Sequence, residues 1–443
     1  MSDDLHIAGG TLVTMDPERR VLGGDLRVRG GALSAVGGRS RRAAGKKLDA
    51  RGCAVLPGLV QAHVHLCQAL FRGLADDLPL LPWLKERIWP LEAAHDARSL
   101  RASARLGLAE MLLSGTTTIL DMGTVGHQDA VFEAMAESGM RGLSGKAMMD
   151  AGEGLPKGLR ETTRGSLKES HALRERWHGA AAGRLGYAYA PRFILSCSER
   201  LLRETAEAAA EVPGVLVHSH VAEHAAERKA VREALGEDDV AALRCWGVKG
   251  PNTVLAHGVQ LRKAEMRRVA KDGTRITHCP SANLKLASGI ADVRALREAG
   301  VVVGLGADGA PCNNRMDPWT ELRSAALLAK AKTSDASSLP AAEALELATI
   351  EGARALGLDD RIGSLEVGKR ADAIVVRLDG LHQAPGGDVA SQLVYATRAV
   401  DVRHVIIDGQ VVVEDGELRT LDREKVLRAA RREMKRVVER AGL

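Results

Sequence analysis

Aromatic side chains are scarce in this chain: three Phe, three Tyr and five Trp among 443 residues. So few flat rings leave little material for a surface that stacks on nucleic-acid bases. An excess of one charge is also lacking. The 62 Lys and Arg face 57 Asp and Glu, a formal +5, and the two signs interleave along most of the length. That balance is too slight for a nucleic-acid footprint. No apolar run approaches the roughly 18 residues that a membrane span needs. Met1–Met15 holds acids and glycines, where a secretory signal would carry a basic start and an apolar core. The six cysteines, Cys53, Cys67, Cys197, Cys245, Cys279 and Cys312, include no CxxC pair. A zinc ribbon and a small disulfide scaffold are thereby excluded. Free thiols in a reducing cytoplasm are expected.

What is present is an ordinary globular composition, 45% hydrophobic and 27% charged. Both ends read as short strands. Leu5–Ala8, Thr11–Met15, Asp25–Arg29 and Leu33–Val36 open the chain, and Ala373–Leu378, Val402–Ile407 and Gln410–Glu414 close it, with Asp408–Gly409 as a hairpin turn. The spacing predicts one small β-sandwich domain built from both termini, residues 1–56 and 366–443. Asp422–Ala441 follows as a charged amphipathic helix with a solvated surface.

Between them, residues 57–365 alternate β-branched runs with helical patterns such as Asp96–Leu113, Glu199–Ala210 and Leu261–Lys271. The runs are Gly58–Ala62, Thr116–Leu120, Gly142–Ala147, Leu185–Ala190, Gly214–Val217, Thr253–Ala256, Thr274–Thr277 and Val301–Leu305. Eight strands alternating with helices predict an α/β chain whose centre is a (β/α)8 TIM barrel. A doubly wound open sheet is the alternative, but no GxGxxG turn follows the first strand.

Polar residues gather at the carboxyl ends of these strands, the catalytic face of such a barrel. His63 and His65 are two apart on the first strand, so both imidazoles face one way. His218 and His220 end the fifth strand, with Glu223 just beyond. His257 ends the sixth, His278 the seventh and Asp308 the eighth. Imidazoles with one carboxylate suit a catalytic zinc that keeps a position open for water, whose pKa then falls to about 7. The expected ligands are His63, His65, His220 and Asp308, with iron as the alternative metal. Asp308 would also take the proton of the water, His257 would orient it, and Glu223 would be the proton shuttle. His218 and His278 would support the ligands rather than bind. The fourth strand holds no Lys to bridge two metals, so one metal is expected.

These residues resemble the amidohydrolase superfamily in its one-metal aminohydrolase branch. The likeness runs through Pro57–His65, His218–Glu223, Ala256–Gly258, His278–Pro280, Gly306–Asp308 and Gly363–Asp372. It implies hydrolytic deamination of an aromatic ring: attack on the carbon bearing the amine, protonation of the adjacent ring nitrogen by the glutamate, and loss of ammonia. Phe71–Gly73, Asp76–Leu78, Trp83–Leu84, Asn283–Gly289 and Asp308–Ala310 resemble deaminases of adenine-type nucleosides, namely S-adenosylhomocysteine, methylthioadenosine or 5′-deoxyadenosine. There the position of Glu92 binds ribose hydroxyls. Gln68 and Pro191–Phe193 resemble guanine deaminase, where Gln and Arg hold the oxo-purine edge. The nucleoside enzymes usually carry His where Arg192 stands. On the motifs after the seventh and eighth strands, Asn283–Gly289 and Asp308–Ala310, the resemblance favours an adenine-type nucleoside, with guanine or a triazine as alternatives.

By chemistry alone, Arg192 grips a carbonyl or carboxylate, or makes a salt bridge under the barrel rim. Gln68 reads an amidine edge or bonds a neighbouring loop. Trp83 covers the base or packs a lid. Cys67 reads as a small buried residue and not a nucleophile. Cyclic-amide hydrolysis would need a second metal and its bridging lysine, and a non-catalytic metal scaffold would not need the complete set of site residues. The partners expected are an aminopurine and water, with a homodimer implied by the resemblance and neither nucleic acid nor membrane.

Overall fold

The computed structural model describes residues 4–38 and 45–443. The first three residues of Met1–Met15, and positions 39–44 of the expected 1–56 segment, lie outside the described residues.

Eight parallel strands form the central sheet: Leu59–Val64, Thr116–Asp121, Arg141–Ser144, Leu185–Pro191, Leu216–Val221, Thr253–His257, Arg275–His278 and Val303–Leu305. Each pairs with the strand before and after it in the chain, so no strand order reverses as in a doubly wound sheet. A parallel bridge between Val64 and Asp308 joins the eighth strand end to the first. The Asp308 N–H donates to the His63 carbonyl at 3.1 Å, closing the barrel at the level of the site. The third run is shorter than expected. It breaks at Gly145–Lys146 and resumes as Ala147–Met148, because Lys146 turns its buried ammonium to Glu161 and Glu169.

The floor of the barrel is apolar. Val60, Ala62, Leu120, Leu143, Ala188, Leu216 and Val254 fill it, and Ala353, Leu356 and Ile362 plug it from below. Only the opposite end is left for polar groups. Helix starts are capped as their sequences imply. The Asp96 carboxylate accepts from Ser99 N before Ala97–Leu113, and the Ser198 hydroxyl accepts from Leu201 N before Glu199–Ala210.

The termini build one mixed nine-stranded sheet. Leu5–Ala8 and Thr11–Met15, expected as two strands, are one strand, Leu5–Val13. The Gly pair makes a bulge between Ile7 and Gly10 rather than a turn. The bulge hands the strand from Lys46–Asp49 to Cys53–Pro57. The sheet so folded encloses its own core of Ile7, Leu12, Leu26, Val55, Val375 and Ile406. Asp408 and Gly409 have φ of 56° and 81°, and Ile407 pairs with Gln410 across this tight hairpin turn.

The last helix, Arg423–Ala441, is more than a solvated surface helix. Ala430 and Val437 pack against Leu70, Phe71 and Leu91 of the barrel loops. Glu433 is buried between Arg98, Arg432 and Arg436. Among the described residues, no helix is long and apolar enough to cross a membrane.

Candidate metal centre and active site

Three strand ends, the first, fifth and eighth, deliver His63, His65, His220 and Asp308 to one point. His63 Nε2 and His65 Nε2 lie 3.2 and 3.3 Å from Asp308 Oδ1. His65 Nε2 and His220 Nε2 lie 3.3 Å apart. Bonds of about 2.0–2.1 Å from zinc to nitrogen or oxygen give a tetrahedron with edges of roughly 3.3 Å. Three of the six distances among these four donors therefore match such an edge. His257 is on the rim of the cluster, with Nε2 3.9 Å from Asp308 Oδ2 and 3.5 Å from Glu223 Oε2.

Hydrogen bonds behind the rings set which nitrogen carries the proton. The Val254 carbonyl, which can only accept, is 2.9 Å from His218 Nδ1. His218 Nε2 is then a lone pair, and it lies 2.8 Å from His63 Nδ1, which must donate. His63 Nε2 is left as an unpaired, buried lone pair aimed at the cluster. The same logic holds for His220, whose Nδ1 donates to the Arg192 carbonyl at 2.6 Å. His257 Nδ1 meets Asn283 Oδ1 at 2.8 Å, which turns its Nε2 inward. His218 is thus brought behind His63 as the sequence suggests, whereas His278 Nδ1 has no protein partner.

Electrostatics favours cation binding. Burial pushes the His63, His65 and His220 imidazoles below their usual range. Burial alone would raise the Asp308 carboxyl, but His63, His65 and His257 outweigh it and hold the group well below the carboxylate range. The result is neutral nitrogens around an anion, the protonation pattern that a metal site requires. Burial, reinforced by Asp308, pushes Glu223 well above the ordinary glutamate range, with Arg192 opposing.

A second cluster of donors, His65, Cys67 and Glu92, also lies close together. It does not fit a metal. Burial and Glu92 push the Cys67 thiol well up, and the thiol sits 3.3 Å from the Gly123 carbonyl as a donor. Glu92 is committed elsewhere.

Away from the cluster the cavity is walled by Leu80, Trp83, Leu84, Phe193 and Leu286, with Gln68 and Arg192 as its polar side. Arg192 forms a two-pronged buried pair with Glu92, and the Gln68 amide donates to Glu92 Oε1 at 2.8 Å. Glu92 stands behind this pair rather than on the cavity wall. Gln68 Oε1 and Trp83 Nε1 are buried without partners. Both polar alternatives read from the sequence therefore meet in one triad. Trp83 does two things: it lines the cavity and packs with Ile88, Trp89, Leu155 and Leu159 in an apolar lid.

Sequence reasoning missed Leu80, an ordinary apolar residue without a motif, and gave Leu84 no role although it stands beside Trp83 in one. It missed Glu227, which stands in the first turn of the helix Ala225–Leu235 that follows Glu223. Asn283 was quoted in a motif, but its contact with His257 required the fold.

Residues 54–412 match the profile of the Amidohydrolase family. A 5-methylthioadenosine/S-adenosylhomocysteine deaminase of Halobacterium salinarum is 39% identical over 442 residues, covering 100% of both chains. A 5′-deoxyadenosine deaminase of Methanosarcina acetivorans is 37% identical over 440 residues, 99% of each chain. The crystal structure of an adenosine deaminase from Xanthomonas campestris with bound zinc superposes with a TM-score of 0.91 at 33% identity, covering 98% of this chain and 99% of that one. With a family match over most of its length and relatives aligned end to end, this chain belongs to the amidohydrolase family.

Proposed function

We propose that the chain is a metal-dependent hydrolytic deaminase of an adenine-type nucleoside: 5′-deoxyadenosine, S-adenosylhomocysteine or methylthioadenosine. The observation that carries the reading is the convergence of three imidazoles and Asp308 at 3.2–3.3 Å spacings close to the Glu223 carboxyl. The full-length relatives named for those substrates support it.

His63, His65, His220 and Asp308 would hold one divalent ion, zinc being the metal that suits three imidazoles and a carboxylate. When bound, it supplies Lewis acidity that makes water a nucleophile near neutral pH. Asp308 accepts the proton of that water through its second carboxylate oxygen. His257, its Nδ1 tied to Asn283, presents a lone pair that orients the water. Glu223, held as the acid by its burial, donates a proton to the ring nitrogen beside the amine-bearing carbon. Asp308 then gives the proton it holds to the departing amine, and Glu223 takes back a proton from the added hydroxyl as the carbonyl forms, so both carboxyls return to their starting states. Water is consumed, ammonia leaves, and the ring becomes a lactam.

Trp83 and Phe193 would flank the base, and Gln68, Arg192 and Glu92 would form the polar end of the site. Gln68 and Arg192 line the cavity while Glu92 lies behind them, which favours guanine as a second substrate reading. The domain division adopted is 57–365 for the barrel, and 1–56 with 366–443 for the sheet and its helix. None of the described cysteines is paired, and five of the six are buried, consistent with a cytoplasmic enzyme. A homodimer with no nucleic-acid or membrane partner completes the reading.

Ammonia release from zinc-loaded protein tests it on 5′-deoxyadenosine, S-adenosylhomocysteine, methylthioadenosine and guanine, and chloride release tests it on a chlorotriazine. Turnover of the nucleosides is expected. Guanine alone would move the assignment to the Gln68–Arg192 reading, and ammonia from none would overturn the aminopurine assignment.

A further inference from the structure

The backbone that carries Glu223 leaves the fifth strand through Ala222, which has a φ of 48°. A non-glycine residue rarely stays in that left-handed region unless its surroundings hold it there. Here they do so on every side. The Ala222 N–H donates to Asp239 Oδ2 at 2.7 Å, and the Ala222 carbonyl accepts from Gln260 N at 2.8 Å. The Glu223 N–H donates to Glu227 Oε2 at 2.9 Å, and the His224 N–H reaches the same oxygen at 3.4 Å. The Val221 carbonyl accepts from Gly258 N at 3.0 Å.

Glu227 and Asp239 are each only 1% exposed. Asp239 is anchored in turn. Its other oxygen accepts from Val240 N at 2.9 Å and lies 3.6 Å from the Arg228 guanidinium, which also bonds the Gln260 carbonyl and Glu265. Two buried carboxylates from the following helices thus grip two successive amides of the peptide that presents the acid. Burying carboxylates to hold amides is expensive unless the amides must not move.

We propose that Glu227 and Asp239 are positioning residues for Glu223. They fix its backbone so that its carboxyl stays 3.5 Å from His257 Nε2 and within reach of the substrate ring. The inference rests on the deaminase reading, in which Glu223 moves the proton. Geometry held this tightly acts on the reaction step rather than on ground-state binding.

Glu227→Ala in the zinc-loaded full chain is expected to lower kcat by roughly 10–100-fold, with KM and zinc content little changed. Glu227→Gln keeps an acceptor oxygen and restores most of the loss. Glu227→Asp withdraws the oxygen by one methylene and gives an intermediate kcat, which keeps the test open should the alanine variant fail to fold. In a Glu223→Gln background, Glu227→Ala should cost almost nothing more, because both act through one group. Asp239→Asn, which retains the acceptor, should behave as Glu227→Gln does.

A rise in KM at constant kcat would make Glu227 a substrate contact and overturn the proposal. So would equal losses from Glu227→Ala with and without Glu223. If Glu223→Gln itself keeps full turnover, the deaminase role of Glu223 falls first. If Glu223→Gln is inactive and Glu227→Ala is not, only the positioning role falls.

Discussion

The two ends of the cavity are built on opposite principles. At the histidine end, hydrogen bonds run behind the rings so that lone pairs converge unsatisfied on one point. At the other end, the charges of Arg192 and Glu92 cancel each other inside the protein, and Gln68 adds a bond to the same carboxylate. One end presents lone pairs to a cation, whereas at the other the charges are paired and only Gln68 Oε1 and Trp83 Nε1 are left for a ligand. The contrast teaches that burial serves two purposes here. It keeps imidazoles neutral and available at the first end, and it makes an ion pair rigid at the second.

The largest test breaks the first end. His63→Ala is expected to lose both zinc and turnover, whereas Glu223→Gln keeps the zinc and loses roughly 10²–10⁴-fold in kcat. Metal analysis beside kinetics separates the two, and a fully active glutamine variant would remove the proton-shuttle role.

The next breaks the second end. Arg192→Ala leaves Glu92 buried and unpaired, which typically costs about 3–5 kcal/mol of stability. Denaturant titration should show the loss, and Arg192→Met combined with Glu92→Leu should recover much of it. If the single and double variants are equally unstable, the pair is not a self-contained lock.

A third test concerns pH. Glu321 is buried against the segments that follow the seventh and eighth strands, accepting from Ser281 N at 3.1 Å and from Asn313 Nδ2 at 2.9 Å. Burial pushes its carboxyl up to about 7 from the ordinary 4.5. A raised pKa means the folded state holds the proton more tightly. Its contribution is therefore fully present below pH 4.5 and is lost as pH rises through 7, on the order of 3 kcal/mol in all. Glu321→Gln, an isostere of the protonated acid, should flatten stability between pH 5 and 8. An unchanged slope would refute this.

The smallest test sharpens the Gln68 end. A Cβ at Gly309 would overlap Gln68 Oε1. Gly309→Ala should therefore lower kcat/KM by about tenfold, near 1.4 kcal/mol, with zinc content unchanged.

Much of this was legible in the sequence because strand ends carry a strong local signal. His63 and His65 at a spacing of two, and His257 and His278 as last residues of their strands, needed only the register of short apolar runs. The barrel followed from the alternation of those runs with capped helices. Other features depend on contacts across the chain. The Glu92–Arg192 pair spans 100 positions and the His63–His218 bond 155, distances over which periodicity says nothing. Lys46–Asp49 was missed because four residues, three of them charged, do not alternate like a strand. The end of the third strand was misjudged because Lys146 is buried by two glutamates that follow it at 15 and 23 positions.

One feature of the closed cavity bears on time rather than on affinity. The space above the histidines is about 30 Å³, room for about two waters and not for a purine. Leu80, Trp83 and Leu84 must part from Phe193 and Leu286 before each encounter becomes productive, and again before the product departs. Motions of such apolar lids run over microseconds to milliseconds, a scale on which product release can limit turnover. Raising substrate concentration shortens the wait for arrival, but it leaves the wait for departure unchanged.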